Sequence, residues 1–275
     1  MDRCLLDPSH RPARRLFERG PWTVTRCPTC GLIMTGSPGE ESIFDDPDYY
    51  TMGANQRDEI YADWAFRWRW ILGRLNRSGR PGRLLDVGAG NGLFVKIAQE
   101  EFGWQARGIV LSETEVAFAK RALDVSLDRV RLEDVGEVFD LVTTFNVLEH
   151  VVDPVAFLQL MSRRLSTNGL VVLSTPSSAA IQARLQGLKA WRMIAPPHHV
   201  NIFSRRALEL TLRKAGFEVL SYDAISTYIR ALRRIEPNGT FLKNIVFNGL
   251  RRTGLGADHF VVARKIEPIE PAIRS

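Results

Sequence analysis

Apolar residues fall in short, irregular bursts over the first fifty positions, and from Arg83 onward they settle into two alternating registers. Short β-rich apolar runs predict strands at 83–87, 106–110, 140–145, 170–174, 217–222 and 259–264, with a weak one within 125–132. Between them, apolar positions spaced by three and four predict helices over 92–101, 113–123, 154–165 and 204–215. Such alternation predicts an α/β domain: a doubly wound, seven-stranded, mostly parallel sheet covered on both faces. The last run, His259 to Ala263, follows 217–222 without a regular crossover helix and is expected to be antiparallel.

Ahead of this domain, Tyr61, Trp64, Trp68, Ile71, Leu72 and Leu75 predict a helix over 57–75, with Arg67, Arg69 and Arg74 largely on other faces. An aromatic stripe at this spacing is read as packing rather than as a ligand box. The breaker run Ser78-Gly79-Arg80-Pro81-Gly82 ends it. The chain therefore divides into a small hairpin-based module (1–50), a linker with the aromatic helix (51–80) and the sheet domain (81–275). A basic, aromatic and loop-like insertion at 223–257 is expected to cover an active site.

Composition narrows the class. Of 275 residues, 45% are hydrophobic and 25% charged, which excludes a fibrous or wholly disordered chain. The net charge of +6 comes mostly from arginines spread along the chain, as in a mildly basic enzyme and not in a nucleic-acid-binding surface. No run of about 18 uncharged apolar residues occurs, and the start of the chain lacks the apolar stretch of a signal peptide. A cytoplasmic protein with no membrane partner is expected. The three cysteines, Cys4, Cys27 and Cys30, are too few and too clustered for a disulfide framework and belong to a local feature.

The sharpest motif is Leu84-Leu85-Asp86-Val87-Gly88-Ala89-Gly90-Asn91-Gly92-Leu93. An apolar strand ends at an acid, then glycines permit a tight turn and close approach of a ligand to the backbone, and a helix follows at once. The spacing G-x-G-x-G differs from the G-x-G-x-x-G of dinucleotide sites. It resembles motif I of the class I S-adenosylmethionine-dependent methyltransferases. The resemblance extends over about residues 80–222, with Phe139-Asp140-Leu141-Val142, Asn146-Val147-Leu148-Glu149-His150-Val151, Asp153-Pro154, Asn168-Gly169, Ser174-Thr175-Pro176, Pro197-His198-His199 and Ala215-Gly216-Phe217 in the order this family uses.

The resemblance implies a Rossmann-like methyltransferase fold and S-adenosylmethionine as cofactor, held by Asp86, Gly88, Ala89, Gly90 and Gly92, with Asn146 and Leu148 lining the cleft at the end of the fourth strand. It also exposes a departure. Where the family's second strand usually ends in an acid that pairs with both ribose hydroxyls, Gly108-Ile109-Val110-Leu111-Ser112 carries Val110, leaving Glu113 or Glu115 to reach the ribose. A lost bond to buried hydroxyls costs roughly 1–3 kcal/mol. The acid expected near the adenine amino group is Asp128, with Glu133 or Asp134 as the other placement.

Methyl transfer from a sulfonium is an in-line displacement accelerated mainly by alignment and desolvation, and a base helps when the acceptor is a hydroxyl or carbon acid. His150, with Glu149 beside it, and His199 are the candidate bases. The segment Asn146…Glu149-His150 also looks like the one that holds a divalent metal in ubiquinone-biosynthesis O-methyltransferases, where the first position is acidic; Asn146 removes that charge.

Cys27-Pro28-Thr29-Cys30-Gly31 forms a knuckle in which two thiolates can reach one zinc. Upstream, Cys4 supplies a third thiolate, and Asp7 stands where a matching second cysteine would be. This layout resembles the N-terminal zinc-ribbon segment of a subset of these methyltransferases, so the expected ligands are Cys4, Cys27, Cys30 and a fourth from Asp7 or His10, if one is present at all. Three functions compete: methyl transfer to an oxygen or carbon of a small molecule (sugar, quinone or natural-product type), a non-catalytic interaction protein of the same fold, and an RNA methyltransferase. The last lacks an aromatic-basic interleave and the Asn/Asp-Pro-Pro-Tyr/Phe signature of amino-directed enzymes.

Overall fold

The computed structural model describes residues 3–36, 58–78, 81–226 and 241–266. Within the large domain, neighbouring apolar residues of each strand point to opposite faces, as the two-residue period of a strand requires. Leu84, Leu141 and Val172 join one core with Ile71 and Leu72 of the aromatic helix, whereas Leu85, Val142, Val171 and Leu173 join another. A sheet apolar on both sides needs helices on both sides, and it has them.

Strands β1 (Arg14–Arg19), β2 (Trp22–Arg26) and β3 (Ile33–Met34) precede helix α1 (Asp58–Leu75). The large domain follows with β4 (Arg83–Val87), α2 (Leu93–Phe102), β5 (Gln105–Val110), α3 (Glu113–Phe118), β6 (Asp128–Arg129) and β7 (Phe139–Phe145). It continues through α4 (Pro154–Arg163), β8 (Leu165–Pro176), α5 (Ile181–Gln186), β9 (Asn201–Ile202) and α6 (Arg205–Lys214). The last elements are β10 (Phe217–Ile225), α7 (Phe241–Thr253) and β11 (Asp258–Lys265).

The seven-stranded sheet runs β10-β11-β8-β7-β4-β5-β6. Only β11 is antiparallel, to both β8 and β10, as expected, although not for want of a helix: α7 does lie between β10 and β11. Strand order reverses between β4 and β7: the chain leaves β4 toward β5 and β6, then returns to β7 on the other side. The carboxyl ends of these two strands therefore diverge into a crevice, the usual ligand position in an open α/β sheet.

Two parts differ from the sequence reading. The N-terminal hairpin is completed by a strand of the large domain, giving a second sheet β1-β2-β3-β9 in which Ile33 pairs with Ile202 and Met34 with Asn201. Its residues Cys4, Leu6, Cys27, Cys30, Leu32 and Met34 share a core with Phe203, Leu208 and Leu212, so the module is welded to the sheet domain by apolar burial. The region 223–257 is not all loop: β10 extends to Ile225 and α7 occupies Phe241–Thr253, while residues 227–240 lie outside the described part. Asp223 fastens this helix by accepting from Arg251 of α7 at 3.0 Å and Arg74 of α1 at 2.5 Å.

Candidate active site

At the end of β4 the turn 88–92 is shaped by its glycines. Gly88 and Gly90 have φ of 72° and 56°, and a Cβ on Gly88 would lie 2.5 Å from Val147 Cγ2. The N–H groups of Gly88 and Ala89 donate to the Ile109 carbonyl at 3.0 and 3.1 Å, holding the turn against β5, and Asn91 Oδ1 accepts from the Leu93 N–H at 3.1 Å as α2 begins. Asp86 is 2% exposed and accepts from Thr143 Oγ1 at 2.6 Å; burial pushes its carboxyl up to about 7.

The turn borders a cleft of about 180 Å³ that opens to solvent on one side. Asp86, Gly88, Ala89, Gly90 and Asn146, five of the residues expected to hold cofactor, line it together with Asn91, Leu93, Phe94, Phe145, Trp64 and Trp68. Trp68 anchors the aromatic wall, its ring centroid 5.3 Å from Trp64, 5.2 Å from Phe94 and 4.7 Å from Phe145. The aromatic stripe of α1 thus does both jobs, packing α1 down and facing the cleft.

A polar chain runs beneath this wall. Arg67, with a side chain 1% exposed, donates to Ser174 Oγ at 2.7 Å and to Asp258 at 3.2 Å, and stacks 5.0 and 5.2 Å from the Trp64 and Trp68 ring centroids. Since Ser174 Oγ receives a proton from Arg67, its own O–H goes to Asn146 Oδ1 at 3.2 Å, which leaves the Asn146 N–H2 as the end offered to the cleft. Asn146 itself has φ of 56°, an uncommon backbone state for a residue with a side chain. Its N–H donates to the Ser174 carbonyl at 2.8 Å.

Beyond Asn146, Glu149, His150 and His199 bring a carboxylate oxygen and two ring nitrogens within 4.8 Å of one another. Glu149 accepts from Thr175 Oγ1 at 2.8 Å, and burial pushes it up to about 7. His150 Nδ1 donates to the His198 carbonyl at 2.8 Å and the ring also meets the Asn146 backbone; burial lowers it to about 4. His199 Nδ1 donates to the Met193 carbonyl at 2.8 Å, which leaves Nε2 as its basic nitrogen. Burial lowers His199 as well, but the Glu149 charge opposes that shift. Glu149 is the one carboxylate of this set, since Asn146 is neutral, and its charge is also coupled to the buried Arg67.

In the N-terminal module, Cys4, His10, Cys27 and Cys30 place their ligand atoms within 4.8 Å of one another. Cys4 Sγ lies 3.6 Å from Cys30 Sγ, and Cys27 Sγ lies 3.5 Å from His10 Nδ1. Tetrahedral zinc with bonds near 2.3 Å to sulfur sets its ligands about 3.8 Å apart, so three thiolates and one imidazole fit that ion. The Cys30 N–H points to Cys27 Sγ at 3.5 Å, and Gly31 (φ 80°) closes the knuckle. Asp7, expected as a ligand, does not join. Its carboxylate accepts from Ser9 N and Oγ at 2.9 and 2.7 Å and pairs with Lys214 at 3.3 Å, and His10 comes in at its place.

Other expected site residues land elsewhere. Val110 is buried among Ala89, Val95, Ala119, Val125 and Leu127, an apolar cluster without a polar ligand. Leu148 is fully buried in the sheet core and does not line the cleft. Asp128 is taken by Arg107 at 2.6 Å on the outer strand, and Glu133 and Asp134 are exposed. Gly92 (φ 81°) starts α2 behind the turn.

A family model described as a methyltransferase domain matches residues 57–222. A ubiquinone biosynthesis O-methyltransferase of Bradyrhizobium diazoefficiens is 37% identical over 100 residues, 34% of this chain and 39% of that protein. One of Pseudomonas aeruginosa is 25% identical over 199 residues, 62% and 81% of the two chains. The chain spans less than half the length of the first three curated relatives it matches. The plantazolicin methyltransferase BpumL, solved in complex with SAH, shares the fold with a TM-score of 0.55 at 14% identity, covering 82% of this chain and 93% of its own. With the matched segment reaching from α1 through β10 and so enclosing both the glycine turn and the cleft, the chain belongs to the methyltransferase-domain family.

Proposed function

We propose that this protein is an S-adenosylmethionine-dependent methyltransferase acting on an oxygen or carbon of a small molecule of quinone, sugar or natural-product type. The observation that carries the reading is the buried Asp86 beside the Gly88–Gly90 turn at the point where strand order reverses, opening on an aromatic-walled cleft. When bound, S-adenosylmethionine supplies a methyl group already activated on a sulfonium. Asp86 and the turn backbone would hold its polar head, Trp64, Trp68 and Phe145 would shield it from water, and the Asn146 N–H2 would offer a donor.

For a hydroxyl acceptor, His199 serves as the base, with Glu149 supporting the charge it gains; His150, buried and lowered to about 4, is the weaker base. Among the described residues no helix is long and apolar enough to cross a membrane. Three free cysteines held as a ligand set suit a reducing, cytoplasmic setting.

Incubation with methyl-labelled S-adenosylmethionine and a panel of quinols, phenols and sugars tests this reading. Labelled product is expected from one class; cofactor binding with no transfer to any would favour the non-catalytic protein. With that acceptor, His199→Asn is expected to lower kcat by about 10²–10⁴-fold with cofactor affinity nearly unchanged, and His150→Asn by less. Equal losses from both would contradict the assignment.

Cofactor binding also carries a pH sign. Asp86 titrates at about 7 in the free protein and must be ionised to meet a cation. Affinity is therefore expected to fall as pH drops below about 7, by up to tenfold per unit, and to level off above it. Glu115, also raised to about 7 by burial, adds to the same trend. A dissociation constant that does not change between pH 6 and 8 would contradict this.

A further inference from the structure

The family's ribose-binding position is apolar here, yet an acid reaches the same turn from the next helix. Ser112 caps α3, its Oγ accepting from the Glu115 N–H at 3.4 Å, and this sets Glu115 in the first turn of the helix. From there the carboxylate leans over the glycine turn: Oε1 lies 3.7 Å from where a Cβ on Gly90 would sit, and Gly90 lines the cleft. Gly90 has no side chain to fill that gap.

Three further observations single out this residue. Glu113, the other acid within reach by sequence, is exposed and lies 3.7 Å from Arg129. Among the described residues, no hydrogen bond or ion pair to the Glu115 side chain is found, although the group is largely withdrawn from water. A carboxylate left in that condition is costly unless a ligand brings donors. Two oxygens side by side accept from two neighbouring hydroxyls, so the group they suit is a vicinal diol.

We propose that Glu115 replaces the strand-end acid and accepts from both ribose hydroxyls of the cofactor, a role that rests on the methyltransferase reading above. Moving the acid from the end of β5 to the first turn of α3 frees the strand end to be Val110, which packs with Ala119 and Val125. The second strand thereby gains an apolar end without giving up recognition of the sugar.

The test compares S-adenosylhomocysteine with its 2′-deoxy analogue by calorimetry on the full chain, wild type against Glu115→Gln. The wild type is expected to bind the ribose form about tenfold or more tightly than the deoxy form. Glu115→Gln is expected to weaken the ribose form about tenfold, leave the deoxy form unchanged and so bring the ratio close to one, with the ligand-free protein melting no lower than the wild type. If the variant keeps the wild-type ratio, or the wild type does not discriminate, the assignment of Glu115 is wrong although the cofactor reading stands. If the wild type binds neither compound, both fall.

Discussion

Arg67→Met is expected to destabilise the protein by about 3–5 kcal/mol, the usual cost of removing one partner of a buried ion pair. The guanidinium is held by Asp258, Ser174 and the faces of Trp64 and Trp68, and methionine replaces none of the donors. Asp258 would keep its charge at the start of β11 without its partner, and Ser174 would be free to turn away from Asn146. Urea unfolding reads the first effect, and a double-mutant cycle with Asp258→Asn separates the pair from the loss of packing. Cofactor affinity should fall as well, because the Asn146 amide loses its orientation. A loss under 1 kcal/mol would show that Arg67 is not fixed as described.

Zinc removal has the next largest expected effect. Purified protein should carry about one equivalent of zinc, and Cys27→Ser or a strong chelator should remove it. Apparent folding energies of roughly 10–16 kcal/mol are known for zinc in isolated finger peptides. Here Leu32, Ile33 and Met34 are buried as well, so the metal carries only part of the module's stability. Function should suffer too. Thr35, just after β3, donates from Oγ1 to the His199 carbonyl at 2.8 Å and from its N–H to the Val200 carbonyl at 3.0 Å, and Val200 donates to the Glu149 carbonyl at 2.8 Å. Loss of the knuckle loosens β3 and with it the His199 segment, so kcat should drop more than cofactor affinity. Under a tenth of an equivalent of zinc in freshly purified protein would overturn the metal assignment.

Much of the sheet was legible because each strand pairs an apolar run with a helix of different period, as Leu84-Leu85 and Leu141-Val142 do with the helices that follow them. The glycine turn was legible because positive φ favours glycine and, at Gly88, a neighbouring side chain leaves no room for a Cβ. What escaped depends on partners far away in sequence. Asn201 and Ile202 show no strand pattern, and their pairing with β3 exists only because the ribbon folds back onto them. Asp7 and His10 were both within reach of the cysteines, and in the structure Asp7 is engaged by Ser9, two residues on, and by Lys214, more than two hundred residues away. Leu148 follows the strand end as a lining residue would, but its turn aims it into the core. Arg67 gave no signal, since an arginine on an amphipathic helix is ordinarily solvated. The helix α7 had one: Phe241, Leu242, Ile245, Val246 and Leu250 recur at helical spacing inside what the basic composition marked as loop.

The central claim, that the cleft beside Asp86 takes S-adenosylmethionine, is tested most directly by titrating that compound and S-adenosylhomocysteine into the full chain in a calorimeter at pH 8. The account predicts one site with a dissociation constant of about 100 μM or tighter, near −5.5 kcal/mol or better, weakened at least tenfold by Asp86→Ala. No binding of either compound below about 1 mM, around −4 kcal/mol, would contradict it.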